Sequence, residues 1–403
     1  MTMGACMKKW SGLVFRGVAA LSLASGVGVV ACSSDAPPAA EVDAGAPEAS
    51  VSAEAAAPPP LGGDLGFTPS NLSLAGLDLA NVGDIVIDKT GCTWSTASLD
   101  ASCGDAKKMV FKQIDQPGAG KIGMYVVRSL RVEPNGALSL RGTYAGAIVA
   151  LDKLDILGTV SVGVGSNSAS AGGFVGTGNN GKGGGPGGGA AGSPSNAPGG
   201  GGYCGKGGNG GASSSGAPGA GGAPWGTAEN VPLVGGASGG GGAVDKGGSG
   251  GGALQLVAKN FITIGTTGVV TAGGGRGGFG GVSSQPPGAG GSGGALLLES
   301  PVITVQGVVA ANGGGGGSKS DDNQNGQGSG TPAKGATGPS TGGNGSAGDT
   351  AVGGDGTYVA GPGGGGGGGA GRVRFNTRGA GPSLTGTVSP SVASACATSG
   401  QLK

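Results

Sequence analysis

The sequence predicts an all-β protein, a parallel β-helix or β-solenoid of about five coils interrupted by glycine-rich insertions. One repeat unit of short, alternating apolar segments recurs along the chain, most completely at 293–317 and again at 251–275, 146–163 and 371–390. Glycine supplies 104 of the 403 residues, and long tracts of it separate the later repeat units. One coil cannot bury its apolar face alone, so we expect successive coils to stack.

The composition limits the functions open to the chain. Glycine brings no side chain to bury, so the core has to come from the Val-, Ile- and Leu-rich stretches. A formal net charge of +1 gives no bulk attraction to nucleic acid. The chain contains no histidine, which excludes Ser-His-Asp and Cys-His catalysis in their usual forms and His-ligated metals. Catalysis by carboxylates alone stays open.

Residues 1–31 predict a lipoprotein signal peptide. Lys8 and Lys9 precede an apolar run at 17–30, which is too short to span a membrane comfortably. The run ends in Val-Val-Ala followed by Cys32, the order typical of a lipobox. We therefore expect acyl chains on Cys32, with cleavage of a plain secretory signal nearby as the alternative.

Residues 32–66 are rich in Ala and Pro, lack apolar periodicity, and predict a disordered tether. Residues 67–125 predict an N-terminal β region with short strands at 72–74 and 85–87. A tail at 391–403 follows the last repeat unit.

Two pairs of cysteines follow the predicted signal peptide. In an exported protein, Cys92 and Cys103 predict a disulfide bond that closes a surface loop, and their spacing fits no common zinc pattern. Whether Cys204 pairs with Cys396 is left open by the sequence.

The region 126–390 carries the repeat units, each read as three short strands separated by turns. Leu130 and Leu154 occupy equivalent positions 24 residues apart. The alternation at 262–264 matches that at 303–305, so these segments should pair in register with every second side chain pointing inward.

Glycine-rich insertions at 165–252, 273–294 and 313–371 share one connection of the coil and should emerge on one side. They fit either disordered Gly/Ser linkers or packed glycine helices with three residues per turn. The lack of a strict G-x-y period favours disorder or loose packing.

Two groups of acidic residues are candidate sites. Residues 321–326 match the first half of an EF-hand calcium loop, but Pro332 stands where the closing glutamate belongs, so we favour a solvated polar loop over a calcium site. Asp152 and Asp155 flank Lys153, and we favour a solvated turn over a catalytic carboxylate pair.

The glycine-rich regions also hold isolated aromatic residues and a late basic cluster. We favour a loop-anchoring role for the aromatic residues over contact with sugars or other chains. The aromatic residues are Phe174, Tyr203, Trp225, Phe279 and Tyr358. The basic residues Arg372, Arg374 and Arg378 predict a polar cover for an exposed strand.

The repeat unit at 293–317, taken with the lipobox at Cys32, resembles glycine-rich surface lipoproteins of Gram-negative bacteria. The resemblance implies a β-solenoid with low-complexity insertions, and Ser33 after the cysteine points to the outer membrane. It implies no catalytic residues.

We therefore expect a non-enzymatic structural or adhesive lipoprotein at the outer membrane, facing the periplasm or the cell exterior. It should contact the membrane through Cys32 and need no cofactor. Candidate partners are envelope polysaccharide and other surface proteins, but not nucleic acid. The alternative is a carbohydrate-active β-helix enzyme or a glycan-binding module.

Overall fold

The computed structural model describes residues 64–163, 170–193, 196–212, 216–243, 245–280 and 285–403. The chain divides into two units, Met1–Ala57 and Pro58–Lys403, and every described residue belongs to the second. The predicted signal peptide, the predicted lipidation site Cys32 and nearly all of the predicted tether lie outside the described residues.

The regular structure of the described residues is almost entirely β-strand, with one short 3-10 helix at Ala106–Lys108. The strands are β1 (Asp84–Ile87), β2 (Cys92–Ser95), β3 (Val110–Ile114), β4 (Ile122–Val127), β5 (Ser129–Val132), β6 (Ala137–Arg141), β7 (Ala145–Ala150), β8 (Lys153–Ile156), β9 (Thr159–Val162), β10 (Ala253–Ala258), β11 (Phe261–Ile264), β12 (Val269–Thr271), β13 (Ala295–Glu299), β14 (Val302–Val305), β15 (Val308–Ala310), β16 (Arg372–Thr377), β17 (Ser383–Leu384), β18 (Thr387–Ser389) and β19 (Ala397–Gln401).

These strands form three sheets. Sheet I has the order β1-β5-β8-β11-β14-β17, sheet II β2-β6-β9-β12-β15-β18, and sheet III β3-β4-β7-β10-β13-β16-β19. Neighbouring strands are parallel except β3 and β4, which are antiparallel. Leu130 pairs with Leu154, and Ile262 with Ile303, so the predicted registers are confirmed.

The main core lies between the inner faces of the three sheets. In sheets I and II burial alternates along each strand, so that Ile262 and Ile264 of β11 are buried while Phe261 and Thr263 are half-buried. Strands β4, β7 and β10 of sheet III are buried on both faces. Their outer face packs against a second apolar cluster, which includes Leu65 and Leu72 of the N-terminal segment.

Several predicted boundaries differ from the structure. No division separates 67–125 from the repeat region, because β1, β2 and β4 belong to the same three sheets as the later strands. The tail at 391–403 contributes β19, which pairs with β16. Leu65, which falls within the predicted tether, is buried.

The segment 72–74 was expected to be a strand and is not one. Its Leu72 packs on the outer face of sheet III, so the apolar alternation there reflects burial and not strand pairing.

Candidate functional site

The glycine tract at 364–371, here called the central tract, donates its backbone hydrogen bonds to three neighbouring tracts in rotation. Residues three apart donate to the same neighbouring tract. Gly365, Gly368 and Gly371 donate to the carbonyls of Gly317, Gly314 and Ala311, and Gly366 and Gly369 donate to those of Pro198 and Gly201. Gly364, Gly367 and Ala370 donate to the carbonyls of Thr357, Gly354 and Ala351. A backbone whose groups return to the same side every third residue has three residues per turn, as in polyproline II and collagen.

The carbonyls of the central tract accept from three further tracts, at 205–211, 290–293 and 343–346. With the three tracts that it donates to, the central tract has six neighbours, so it lies in the middle of a bundle of glycine helices. A β-carbon built on Gly366 would lie 2.1 Å from the carbonyl oxygen of Gly208. Such close packing is open only to residues without a side chain.

The expectation of disordered or loosely packed insertions is therefore wrong for the described parts of the glycine tracts. The absence of a G-x-y period has a physical reason. The central tract needs glycine or alanine on every side and contains the uninterrupted run 363–369. An outer tract needs small residues only where it faces inward: Ala333 and Ala336 are buried, while Thr331, Lys334 and Thr337, which are also three residues apart, are exposed.

An outer face of the bundle contains a depression of about 520 Å³, here called the trough. It is lined by residues 334–337, 341–344 and 354–355. Its charged residues, Lys334 and Asp355, are both exposed. Exposed groups of this kind leave the trough accessible to a ligand.

Both pairs of cysteines form disulfide bonds. Cys92 is bonded to Cys103, as predicted: both cysteines are buried in the main core, and residues 97–100 of the loop that the bond closes are exposed. The indole Nε1 of Trp94 donates to the carbonyl of Cys103 at 2.9 Å, which fixes the loop against the core. Cys204 is bonded to Cys396, so this bond joins a glycine tract to the segment before β19.

The calcium-like loop at 321–326 is braced by protein groups. The guanidinium of Arg276 binds the Asp321 carboxylate and lies 3.2 Å from Asn323 Oδ1, and Asn323 Nδ2 donates to the carbonyl of Gly277. Hydrogen bonds from Thr337 lower the pKa of Asp322 to about 2. Within the described part of the chain, no group of three or more Cys, Asp or Glu residues could hold a metal ion.

Asp152 and Asp155 are held by local partners on the outer side of sheet I. Asn260 Nδ2 donates to Asp152 Oδ1 at 2.8 Å, and Lys153 Nζ lies 3.5 Å from Asp155 Oδ2. Both aspartates are half-buried. This geometry agrees with a polar turn and surface pair.

Tyr203 and Trp225 anchor glycine-rich segments to sheet III. Their rings are 4.7 Å apart, and the Tyr203 hydroxyl donates to the carbonyl of Val234 at 2.9 Å. Arg372 lies over the Tyr203 ring and donates to the carbonyl of Trp225 at 2.8 Å. Burial raises the pKa of Tyr203 and lowers that of Arg372. Arg372 is therefore part of a packed anchor and not a polar cover.

The other candidates are more loosely placed. Phe174 lies 6.0 Å from Trp225 in an edge-on contact, Phe279 is half-buried and Tyr358 is exposed. Arg374 donates to Asn376 Oδ1, and Arg378 donates to the carbonyl of Gly66. These contacts are structural, and Phe174 adds a third ring to the anchor formed by Tyr203, Trp225 and Arg372.

A buried carboxylate on sheet III was missed by the sequence reasoning. Glu299 is 1% exposed and accepts hydrogen bonds from Ser70 N at 3.1 Å, Gln255 Nε2 at 2.6 Å and Asn376 Nδ2 at 2.9 Å. It ties the N-terminal segment to the outer face of the sheet. The sequence does contain a signal for this buried carboxylate. A charged residue ends the apolar run 295–298, and it aligns with the polar residue Asn376 of the next repeat unit.

Comparisons with known proteins give no relative: the chain matches no protein-family model, no curated protein and no solved structure. The helices of the described residues include none with the length and apolar character needed to cross a membrane.

Proposed function

We propose that the chain is a lipid-anchored β-solenoid with a non-enzymatic, structural or adhesive role at the outer membrane of a Gram-negative bacterium. The sheet orders support the solenoid, because strands β4 to β18 visit sheets III, I and II in strict rotation, five times over, as a solenoid of five coils would require. Cys32 would carry the acyl chains, and the Ala/Pro-rich segment at 32–66 would hold the solenoid away from the membrane.

The observation that carries the structural role is the central tract with its six neighbours. Its peptide groups are consumed in bonds to other tracts, so this part of the molecule offers stiffness and surface but few reactive side chains. A stiff body on a membrane tether suits contact with envelope polysaccharide or with other surface proteins.

Lipid anchoring can be tested by metabolic labelling with palmitate in a Gram-negative host. The wild-type chain should take up label and sediment with the outer membrane, while Cys32→Ala should do neither. Protease digestion of intact cells then reports which side of the membrane the chain faces. Equal labelling of the Cys32→Ala variant would contradict the anchor.

The structural or adhesive role is tested by comparing host cells that carry the wild-type chain with cells that carry Cys32→Ala. Wild-type cells should bind surfaces coated with envelope polysaccharide or surface protein more strongly. A screen of polysaccharide substrates with the purified chain is the counter-test. Hydrolysis or lysis that one Asp or Glu substitution abolishes would replace this proposal with a carbohydrate-active enzyme.

A further inference from the structure

The floor of the trough is the tract 341–346, which has neighbours on only four sides. It donates hydrogen bonds to two tracts: Gly342 and Gly345 donate to the tract at 333–336, and Gly343 and Ser346 donate to the central tract. It accepts hydrogen bonds from two more: the carbonyls of Gly343 and Ser346 accept from Gly316 and Gly313, and those of Thr341 and Asn344 accept from Thr357 and Gly354. Each neighbour thus lies in its own direction around the helix axis. The central tract has six such neighbours. In the remaining donating direction, the N–H of Thr341 donates to the Thr357 hydroxyl at 2.8 Å and no glycine tract accepts from Asn344. In the remaining accepting direction, no described tract donates to the carbonyls of Gly342 and Gly345.

Backbone groups at the trough are correspondingly unpaired. Among the described residues, the N–H of Asn344 and the carbonyl of Gly342 have no hydrogen-bond partner. On the two walls the same holds, again within the described residues, for the N–H of Asp355 and the carbonyl of Gly335. In the central tract, by contrast, every N–H from Gly364 to Gly371 and every carbonyl from Gly364 to Ala370 binds another tract. The trough therefore has the character of two adjacent unfilled positions in the bundle.

The chemistry that fits these groups is another backbone with three residues per turn. Such a chain repeats its donors and acceptors about every 9 Å, the repeat of the floor itself. Chain direction is no obstacle, because the central tract has neighbours running both ways: Gly366 and Gly369 donate to Pro198 and Gly201, while Gly365 and Gly368 donate to Gly317 and Gly314. The described lining residues include no aromatic ring on which a sugar could stack.

We propose that the trough binds an extended glycine-rich peptide segment of another protein, which adds one more helix to the bundle through backbone hydrogen bonds. This is the glycine-helix counterpart of strand addition at a sheet edge. It rests on the proposed function in one respect, since it names the class of partner for an adhesive surface protein. Lys334 and Asp355 balance each other, which suits an uncharged segment.

The test isolates one backbone N–H. The whole chain is titrated with a synthetic peptide of Gly-Gly-Asn repeats by isothermal calorimetry. The variant Asn344→Pro removes the open N–H while its fixed φ stays close to that of a three-residue helix. Asn344→Ala is the matched control, because both variants lose the side-chain bond to the N–H of Gly335. We expect the alanine variant to bind the peptide and the proline variant to bind it about tenfold more weakly.

A second pair, Asp355→Pro and Asp355→Ala, repeats the comparison on the trough wall if Asn344→Pro lowers the unfolding temperature. Equal peptide affinity of the proline and alanine variants, or no binding to the wild-type chain, would overturn the proposal. So would binding of a neutral polysaccharide that the Asn344→Pro variant loses. Dimer formation in sedimentation, lost in the same variant, would assign the trough to a second copy instead. Palmitate labelling at Cys32 is independent of every one of these results.

Discussion

Carbonyl oxygens crowd the glycines of the central tract and leave no room for a β-carbon at these positions. A β-carbon on Gly366 would lie 2.1 Å from the oxygen of Gly208, and one on Gly367 would lie 1.9 Å from that of Asn344. Glycine is therefore required here because neighbouring backbones approach too closely to admit a side chain. Other glycines lie in looser surroundings: Gly178 would place its β-carbon 3.4 Å from the Lys246 side chain and meet nothing closer.

This contrast gives a prediction for single methyl groups. Gly366→Ala should destabilise the fold by about 1–3 kcal/mol or more, because neighbouring backbone would have to move. Gly178→Ala should change stability by less than about 1 kcal/mol, and in the stabilising direction if anything, because it restricts the unfolded chain. Urea unfolding followed by circular dichroism measures both changes. Similar effects of the two substitutions would argue against the packed bundle.

Among the structural elements, the two disulfide bonds join different parts of the chain: one lies among the strands, and the other links a glycine tract to the segment before β19. The bond between Cys92 and Cys103 closes a loop with a sequence separation of 11 residues at the edge of the three stacked sheets, here called the β-stack, whereas the bond between Cys204 and Cys396 spans a separation of 192 residues. The longer loop includes most of the glycine-rich sequence and ends beside β19. It should restrict the unfolded chain far more than the short loop does.

Removing the long-range bond should therefore cost more stability. Chain-entropy arithmetic gives about 5 kcal/mol for the bond between Cys204 and Cys396 and about 3 kcal/mol for that between Cys92 and Cys103. Each pair is replaced by serine, and thermal unfolding of the two double variants is compared with that of the wild-type chain. A larger loss for the short-loop variant would indicate that strain or residual structure outweighs loop entropy.

At the scale of the described unit, the β-stack and the glycine bundle are continuous. Three strands of sheet III begin directly where a glycine tract ends: Gly252 precedes β10, Gly294 precedes β13 and Gly371 precedes β16. The same chain segments thus pass from glycine helix to strand without a linking loop. Because backbone groups are paired on both sides of this junction, the two parts should resist opening together.

Hydrogen exchange provides the measurement. The amides of Gly290, Gly314, Gly366 and Gly368 should be protected from exchange to an extent comparable with those of β10 and β13. The exposed amides of Ala380 and Gly381, which have no hydrogen-bond partner among the described residues, should exchange rapidly and serve as the internal control. Exchange of the bundle amides within seconds, beside protected strands, would contradict a cooperative unit.

The sequence predicted structure correctly where a local residue pattern depends on one kind of packing. Alternating apolar residues such as those at 262–264 located the strands and their registers, because period two follows from the geometry of a strand. It failed for the glycine tracts, because the residue pattern of a tract depends on how many neighbours surround it. The run 363–369 and the spaced residues Thr331, Lys334 and Thr337 look unrelated until their places in the bundle are known.

The same limit explains the other omissions. Nothing local to Cys204 marks Cys396 as its partner, since the bond depends on the packing of the whole bundle. Glu299 was overlooked because a lone carboxylate after an apolar run usually marks a strand end facing water. Here the N-terminal segment covers it, and that cover is not visible in the local sequence.

Because six tracts surround the central tract, insertions and deletions within it are constrained in length. Inserting one residue into the run 363–369 would turn everything beyond it by about 120°, so that each later amide would face the wrong neighbour. An insertion of three residues would restore the phase and leave only a shift along the axis. Length variation should therefore accumulate in multiples of three within the central tract, and freely in the turns between tracts.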